Sequence, residues 1–426
     1  MTKRVPAFVL FLLLYLPALG SDIFALRHDR TVDLPSFHDA ARRAFVERRS
    51  PYDPMAGAEA EKRLAQRVHP FLYPPPSLLV FAPLALVSYG TARVVVLVLN
   101  HALFLLLVHL LLRRLTGLER AGEGALAFFL AYVLLFQPVR ATVGAGQVNL
   151  LVATLIVLAW DSLRRGRGPA AAALPLSIAI LAKTYPVLLL LPLAAHRRWR
   201  VVGLTLSFLA AALVLAAIVL PTAVWSDWMR DVLPSGGYGR TPPGLFSPAA
   251  PWNQSLNGFT ARLFLENPFS AALAPSPAAA RAVPALLACV LLGVAAAASL
   301  RAGARGDKDR FLDLDLSLWL VVTFAVAPLS WEHHLVLVLP ACLLALCVAL
   351  GPGVGGVTRA LVVLAAFLLA WGPPLDSAAF KRGALTLLIS GELYAVLLVG
   401  GFLLVWHRRA RRDPALRAGF TEVRTG

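Results

Sequence analysis

Twelve stretches of this chain are too apolar to rest singly in water, and this restricts the fold more than any other feature. They lie at about 5–20, 92–112, 124–138, 147–162, 169–181, 184–195, 201–221, 283–300, 314–329, 333–350, 358–372 and 384–406. Long runs of Leu, Val and Ala with almost no charge are what a bilayer core admits, because a helix satisfies its own backbone N–H and C=O groups there. The expected fold class is therefore an all-α polytopic membrane protein with about twelve transmembrane helices. A thirteenth stretch, 77–89, is shorter than a span needs and is interrupted by Pro83, so it reads as a re-entrant or interfacial piece. The runs at 169–181 and 184–195 are also short, and would have to tilt, break or lie partly within protein. With 58% hydrophobic residues and a mean hydropathy of +0.72, an ordinary soluble domain is excluded.

The formal charge of +17 does not indicate nucleic acid. Its basic residues cluster in short connections, at Arg113-Arg114, Arg164-Arg165, Arg197-Arg198 and Arg408-Arg409, which is the positive-inside pattern of a membrane protein. These groups also meet anionic lipid head groups, whereas a nucleic-acid partner would require a basic face on a soluble module. Placing the arginine-rich connections in the cytoplasm leaves both termini inside. The first segment resembles a signal peptide but ends on a weak cleavage signal, and reads as a retained helix. The expected organisation is one multi-pass domain, 1–406, in the cytoplasmic (inner) membrane, followed by a short basic tail, 407–426. Its two large extracytoplasmic loops are 21–76 and 222–282. Cys289, Cys342 and Cys347 all lie in apolar runs, so neither a disulfide framework nor a thiolate metal site is expected.

Loop 21–76 stands out because it carries eight carboxylates in a chain where acids are costly. It closes on the rigid run Tyr73-Pro74-Pro75-Pro76. Within it, Phe37, Ala40, Ala41, Ala44 and Phe45 recur at helical spacing opposite Asp39, Arg42, Arg43 and Arg49. That pattern suggests an amphipathic helix lying on the membrane surface.

Other polar groups gather on the same expected side of the membrane. Arg140, Gln147 and Asn149 surround a Gly-Ala-Gly turn; Gln147 and Asn149 could instead cap the helix that follows. Lys183 stands between two short apolar runs, where a lysine either snorkels to the interface or contacts a phosphate. In loop 222–282, the run Trp252-Asn253-Gln254-Ser255-Leu256-Asn257 and nearby Arg262 offer hydrogen-bonding groups beside aromatic rings. A sugar requires both, for its hydroxyls and its ring faces. Ser330-Trp331-Glu332-His333-His334 opens another apolar run. Adjacent histidines on a helix diverge by about 100° and seldom chelate one ion, so no metal is expected there. An imidazole contacting a phosphate or a hydroxyl is the favoured use.

Taken in order, these landmarks resemble glycosyltransferase family 87, a group of polytopic membrane enzymes within the GT-C superfamily. The resemblance is carried by Asp33-Leu-Pro-Ser-Phe37, Tyr73-Pro74-Pro75, Gly146-Gln147-Val-Asn149, Lys183-Thr-Tyr-Pro186, Asn253-Gln254-Ser255-Leu256 with Arg262, and Ser330-Trp331-Glu-His333-His334. It implies a GT-C-type bundle whose extracytoplasmic loops bear short amphipathic helices. It also implies transfer of a hexose, mannose above all, from a polyprenyl-phosphate sugar to a lipid-linked or cell-envelope glycan outside the cytoplasmic membrane, with inversion and without a cofactor. An aspartate of the first loop is the base in such enzymes, which by position is Asp33, with Asp29 and Asp39 as neighbours one turn away. Arg140, Gln147, Asn149, Lys183, Asn253, Gln254, Arg262, His333 and His334 are then the expected substrate-binding groups. The competing class is a transporter or flippase for a lipid-linked sugar precursor. That reading calls for ionisable groups near the bilayer midplane on discontinuous helices.

Overall fold

A computed structural model describes residues 5–27, 31–116, 122–303, 311–372, 375 and 377–412. The described residues are helical with irregular connections and contain no strand; Asn253 and Trp331 form an isolated antiparallel bridge. Six helices are long and apolar enough to cross a membrane: Pro6–Leu26, Tyr89–Arg113, Glu123–Ala145, Trp199–Val219, Pro277–Gly303 and Gly383–Arg412. The chain is therefore a multi-pass membrane protein. The remaining apolar runs form shorter helices, among them Pro169–Ala182, Leu339–Leu350 and Gly356–Trp371. Two segments differ in outline from the sequence expectation. The run at 124–138 continues to Ala145 with a break at Phe136, whose extended backbone precedes the Pro138 turn. The last helix runs through His407 to Arg412, past the boundary drawn for a basic tail.

The helix Leu312–Val326 is the axis of the core. All fifteen of its residues are buried, as expected of a helix that is apolar all round. Its two ends differ chemically. At the first, Asp313 accepts from Trp160 Nε1 at 2.7 Å, while Asp315 lies between His196 and His407 with all three side chains sequestered. Those pairs tie the last helix and the turn at 196 to the axis. About 20 Å away along the helix, its other end, from Thr323 to Ala327, faces a large cavity.

The opening loop folds over that cavity. As expected, the stripe at Phe37 begins a helix, Leu34–Phe45, but its apolar face meets protein instead of lipid. Phe37 stacks on Phe81 at 4.5 Å, and Phe71 and Tyr73 complete the cluster. Phe81 comes from the proline-broken piece Pro75–Leu86, which supplies the partner. The polar face is only partly solvated: Arg42 and Arg49 are exposed, and the rest is not. Asp39 and Arg43 are buried and paired at 2.8 Å, Arg63 also contacts Asp39, and Arg43 reaches Glu59 at 2.9 Å. A charge leaves water only when it is paired in this way.

Candidate functional site

The cavity measures about 630 Å³, within the range of sites that hold small molecules. Its lining is chemically mixed. Leu188, Trp228, Val232 and Leu233 are among its apolar lining residues, and Asp33, His69, Gln147, Lys183 and His333 among its polar ones.

Asp33 reaches the cavity because it does not cap its own helix. Aspartate at an N-cap normally accepts from the first turn, yet the Asp33 side chain makes no capping bond to Leu34–Phe45. Instead its backbone N–H donates to Ala145 O at 3.0 Å, which docks the loop on the end of the helix Gln137–Ala145. That docking depends on Gly146. It adopts φ +67, and a Cβ there would lie 2.7 Å from Leu34 Cβ, so only glycine lets the chains approach. The freed Asp33 carboxylate accepts from His69 Nδ1 at 2.9 Å and from the Gln147 amide. Burial alone would raise its pKa, but these hydrogen bonds and the nearby imidazoles outweigh burial and hold the carboxyl below its ordinary value.

Lys183 follows the helix Pro169–Ala182 in extended backbone, with only 1% of its surface exposed. Its Nζ lies 2.7 Å from His334 Nε2 and 5.7 Å over the Tyr73 ring. Burial pushes its ammonium down to about 7, against the pull of Asp33. Burial also pushes the Tyr73 phenol up, helped by the Asp33 charge, so that it stays a hydrogen-bond donor. His333 and His334 lie on a 3-10 turn, Glu332–Leu337, and both rings line the cavity, 4.7 Å apart and nearly perpendicular.

The other polar residues singled out in the sequence lie outside this lining. Asn149 Nδ2 donates to His333 O at 3.1 Å and so fixes the histidine turn from behind. Asn253 is fully buried, donating to Pro248 O and accepting from Ser330 N. Gln254 bridges Pro251 O and Ile389 O. Arg140 is exposed and reaches Ser21 Oγ at 3.4 Å. Arg262 donates to Ala250 O at 2.9 Å, Asn253 O at 3.1 Å and Ser390 Oγ at 2.8 Å. These groups clamp segment 252–254 against 330–332, through Gln254 N to Ser330 O and Glu332 N to Trp252 O. The clamp presents two aromatic rings to the cavity: Trp252, which the sequence already offered as a stacking face, and Trp331, which was quoted only as part of its motif. His69 and Tyr73 line it as well, residues to which the sequence assigned no place beside Asp33, and Phe246 was missed. Asp29 lies outside the described residues. Among the described residues, no group of three or more His, Cys, Asp or Glu side chains could hold a metal ion.

Because Arg262 serves backbone carbonyls, Arg262→Met is expected to destabilise the protein by about 2–4 kcal/mol, leaving buried acceptors without a donor. Thermal unfolding of the detergent-solubilised variant checks this. A phosphate-binding role would instead raise the KM for a phosphate-bearing substrate at unchanged Tm.

A model of the family described as "Glycosyltransferase family 87" matches residues 71–328. That stretch contains Gln147, Lys183, Trp252 and Arg262, and stops short of Asp33 and the two cavity histidines at 333 and 334. The polyprenol-phosphate-mannose-dependent alpha-(1-2)-phosphatidylinositol mannoside mannosyltransferase of Mycolicibacterium smegmatis is 28% identical over 291 residues, covering 64% of this chain and 60% of its own length. The protein of the same name from Mycobacterium tuberculosis is 26% identical over 322 residues, covering 72% and 68%. A pentamannoside mannosyltransferase of Mycobacterium tuberculosis is 28% identical over 273 residues, covering 64% and 57%. The chain thus spans less than two thirds of the first of these relatives. No solved structure matches.

Proposed function

Because the chain belongs to glycosyltransferase family 87, we propose that it transfers mannose from a polyprenyl-phosphate mannose to a lipid-linked acceptor, with Asp33 as the general base. The observation that carries the reading is the meeting of one ionised carboxylate and one buried lysine in a cavity that is otherwise largely lined by apolar residues. The polyprenyl chain lies along Leu188, Trp228, Val232 and Leu233, and the phosphate comes to Lys183. The acceptor hydroxyl meets Asp33, and Trp252 and Trp331 offer flat faces to sugar rings. As the acceptor oxygen bonds to C1 of mannose, its proton passes to the carboxylate, and the C1–O bond to phosphate breaks with inversion. The lysine charge stabilises the departing phosphate in a site that excludes much of the water.

The relatives' names point to a phosphatidylinositol mannoside as the acceptor class. The bundle of about twelve spans in one domain, and an active site on the extracytoplasmic face of the inner membrane, belong to the same proposal. Comparison of lipid-linked glycans from cells with and without the gene tests it. Loss of a mannosylated lipid, with its precursor one mannose shorter, is expected. A cytoplasmic lipid-linked sugar that accumulates with no change in glycosylation would favour a flippase instead.

A further inference from the structure

His69 has no part in the chemistry set out above, yet it is the imidazole bonded to the base. Its Nδ1 lies 2.9 Å from Asp33 Oδ1, and both side chains are 17% exposed at the cavity wall. The ring has little freedom. Its edge meets Phe246 at 5.5 Å and 84°, and Phe246 is held from two other directions, by the Arg67 guanidinium 4.9 Å over its face and by Trp252 at 5.4 Å. The backbone on either side is fixed as well, since Val68 is buried with its N–H on Glu61 Oε1 at 3.1 Å, and Pro70 follows.

We propose that His69 is a positioning residue, whose Nδ1–H holds Oδ1 of Asp33 and leaves Oδ2 to receive the proton of the acceptor hydroxyl. This rests on the reading of Asp33 as the base. An ionised carboxylate only accepts hydrogen bonds, so the bond requires the proton on Nδ1. Fixing one oxygen selects one rotamer and so one direction of attack. When the acceptor oxygen joins C1, its proton goes to Oδ2, and the electron pair of the C1–O bond leaves with the polyprenyl phosphate. His69 exchanges no proton in this step.

The same N–H favours the charged form of Asp33 against burial. Tyr73, beside His69 on the loop, Lys183 from the turn after Pro169–Ala182, and His333 from the 3-10 turn also face the carboxylate. With those groups in place, losing the His69 donor raises the carboxyl pKa, and the acid limb of the rate moves to higher pH.

Two substitutions in the full-length protein, reconstituted in lipid nanodiscs, separate the possibilities. His69→Phe keeps a ring against Phe246 and removes the donor; His69→Asn returns an N–H close to the Nδ1 position. Two properties are read: the pH profile of transfer, and the infrared carboxyl band of Asp33 during an acid titration, assigned by its disappearance in Asp33→Asn. His69→Phe is expected to lose on the order of 10²-fold in kcat, the scale of a misplaced reacting group, with the acid limb and the band both moved to higher pH. His69→Asn is expected to recover most of the rate and both pH positions. If the limb and the band stay in place in His69→Phe, His69 only packs, and the proposal fails. If His69→Asn is as inactive as His69→Phe while the band titrates as in the unaltered protein, His69 is itself the proton acceptor. The infrared titration needs no substrate. An unaltered protein that transfers nothing would therefore defeat the proposed function, while the band would still decide the His69–Asp33 bond.

Discussion

Asp33→Asn is expected to lose transfer by a factor on the order of 10²–10⁴, the contribution of a positioned general base, while the protein folds and inserts normally. The amide has nearly the shape of the carboxylate, and its oxygen still accepts from His69. Because the Asp33 side chain makes no capping bond, the start of the helix Leu34–Phe45 does not depend on its charge. Transfer measured with polyprenyl-phosphate mannose, beside a thermal melt, checks both halves. The neighbouring acid supplies the contrast. Asp39 is buried between Arg43 and Arg63, and removing its charge leaves the buried Arg43 with only the half-exposed Glu59 as its acidic partner. Asp39→Asn is therefore expected to lower the melting temperature, because breaking a buried pair typically costs about 3–5 kcal/mol. Full transfer by Asp33→Asn would remove it from the mechanism.

Lys183→Met is expected to be as damaging to transfer as it is harmless to the fold. Burying an ammonium costs free energy, and methionine fills the same channel without it, so stability should hold or rise. Transfer should fall on the order of 10²–10³-fold, the scale of losing one preorganised group that stabilises developing charge. The pH dependence carries a second signature. With the Lys183 ammonium pushed down to about 7, rising pH through that value discharges it and weakens the hold on phosphate. Asp33 acts in the opposite sense: falling pH protonates the carboxyl, which is held below its ordinary value, and removes the base. The profile of kcat/KM is thus a bell, with its alkaline limb near 7 and its acid limb set by Asp33. Lys183→Arg, whose charge does not titrate in this range, should lose the alkaline limb. An unchanged limb in that variant would assign it to another group.

How much of this was legible beforehand varies from residue to residue. The helical stripe at Phe37 was readable because the period of a helix is local. Its partner was not, since only the fold brings Phe81 and Phe71 against it. The acids of the first loop and Lys183 drew notice because charges beside apolar runs require some use or partner, but the choice of Asp33 among eight acids rested on the family resemblance. Arg262, Asn253 and Gln254 have the donors of a sugar or phosphate site, and sequence alone does not say where those donors go. Segment 248–254 is irregular, with prolines at 248 and 251, and its carbonyls have no helical partners. Buried carbonyls in such a segment need side-chain donors, and Pro248, Ala250, Pro251 and Asn253 draw theirs from Asn253, Arg262 and Gln254. The pairing of His69 with Asp33 was hidden for a different reason. The two are 36 positions apart in sequence, and their contact arises only when the loop closes.

The most direct measurement is the reaction itself. The purified full-length chain in nanodiscs is given polyprenyl-phosphate mannose and a phosphatidylinositol mannoside. Mass spectrometry follows both lipids, and NMR reads the anomeric configuration of the product. The account predicts that the donor is consumed and the acceptor gains one mannose with inverted configuration, and that Asp33→Asn does neither. A donor that stays intact with no mannosylated product, or a product that retains the donor's configuration, would contradict it.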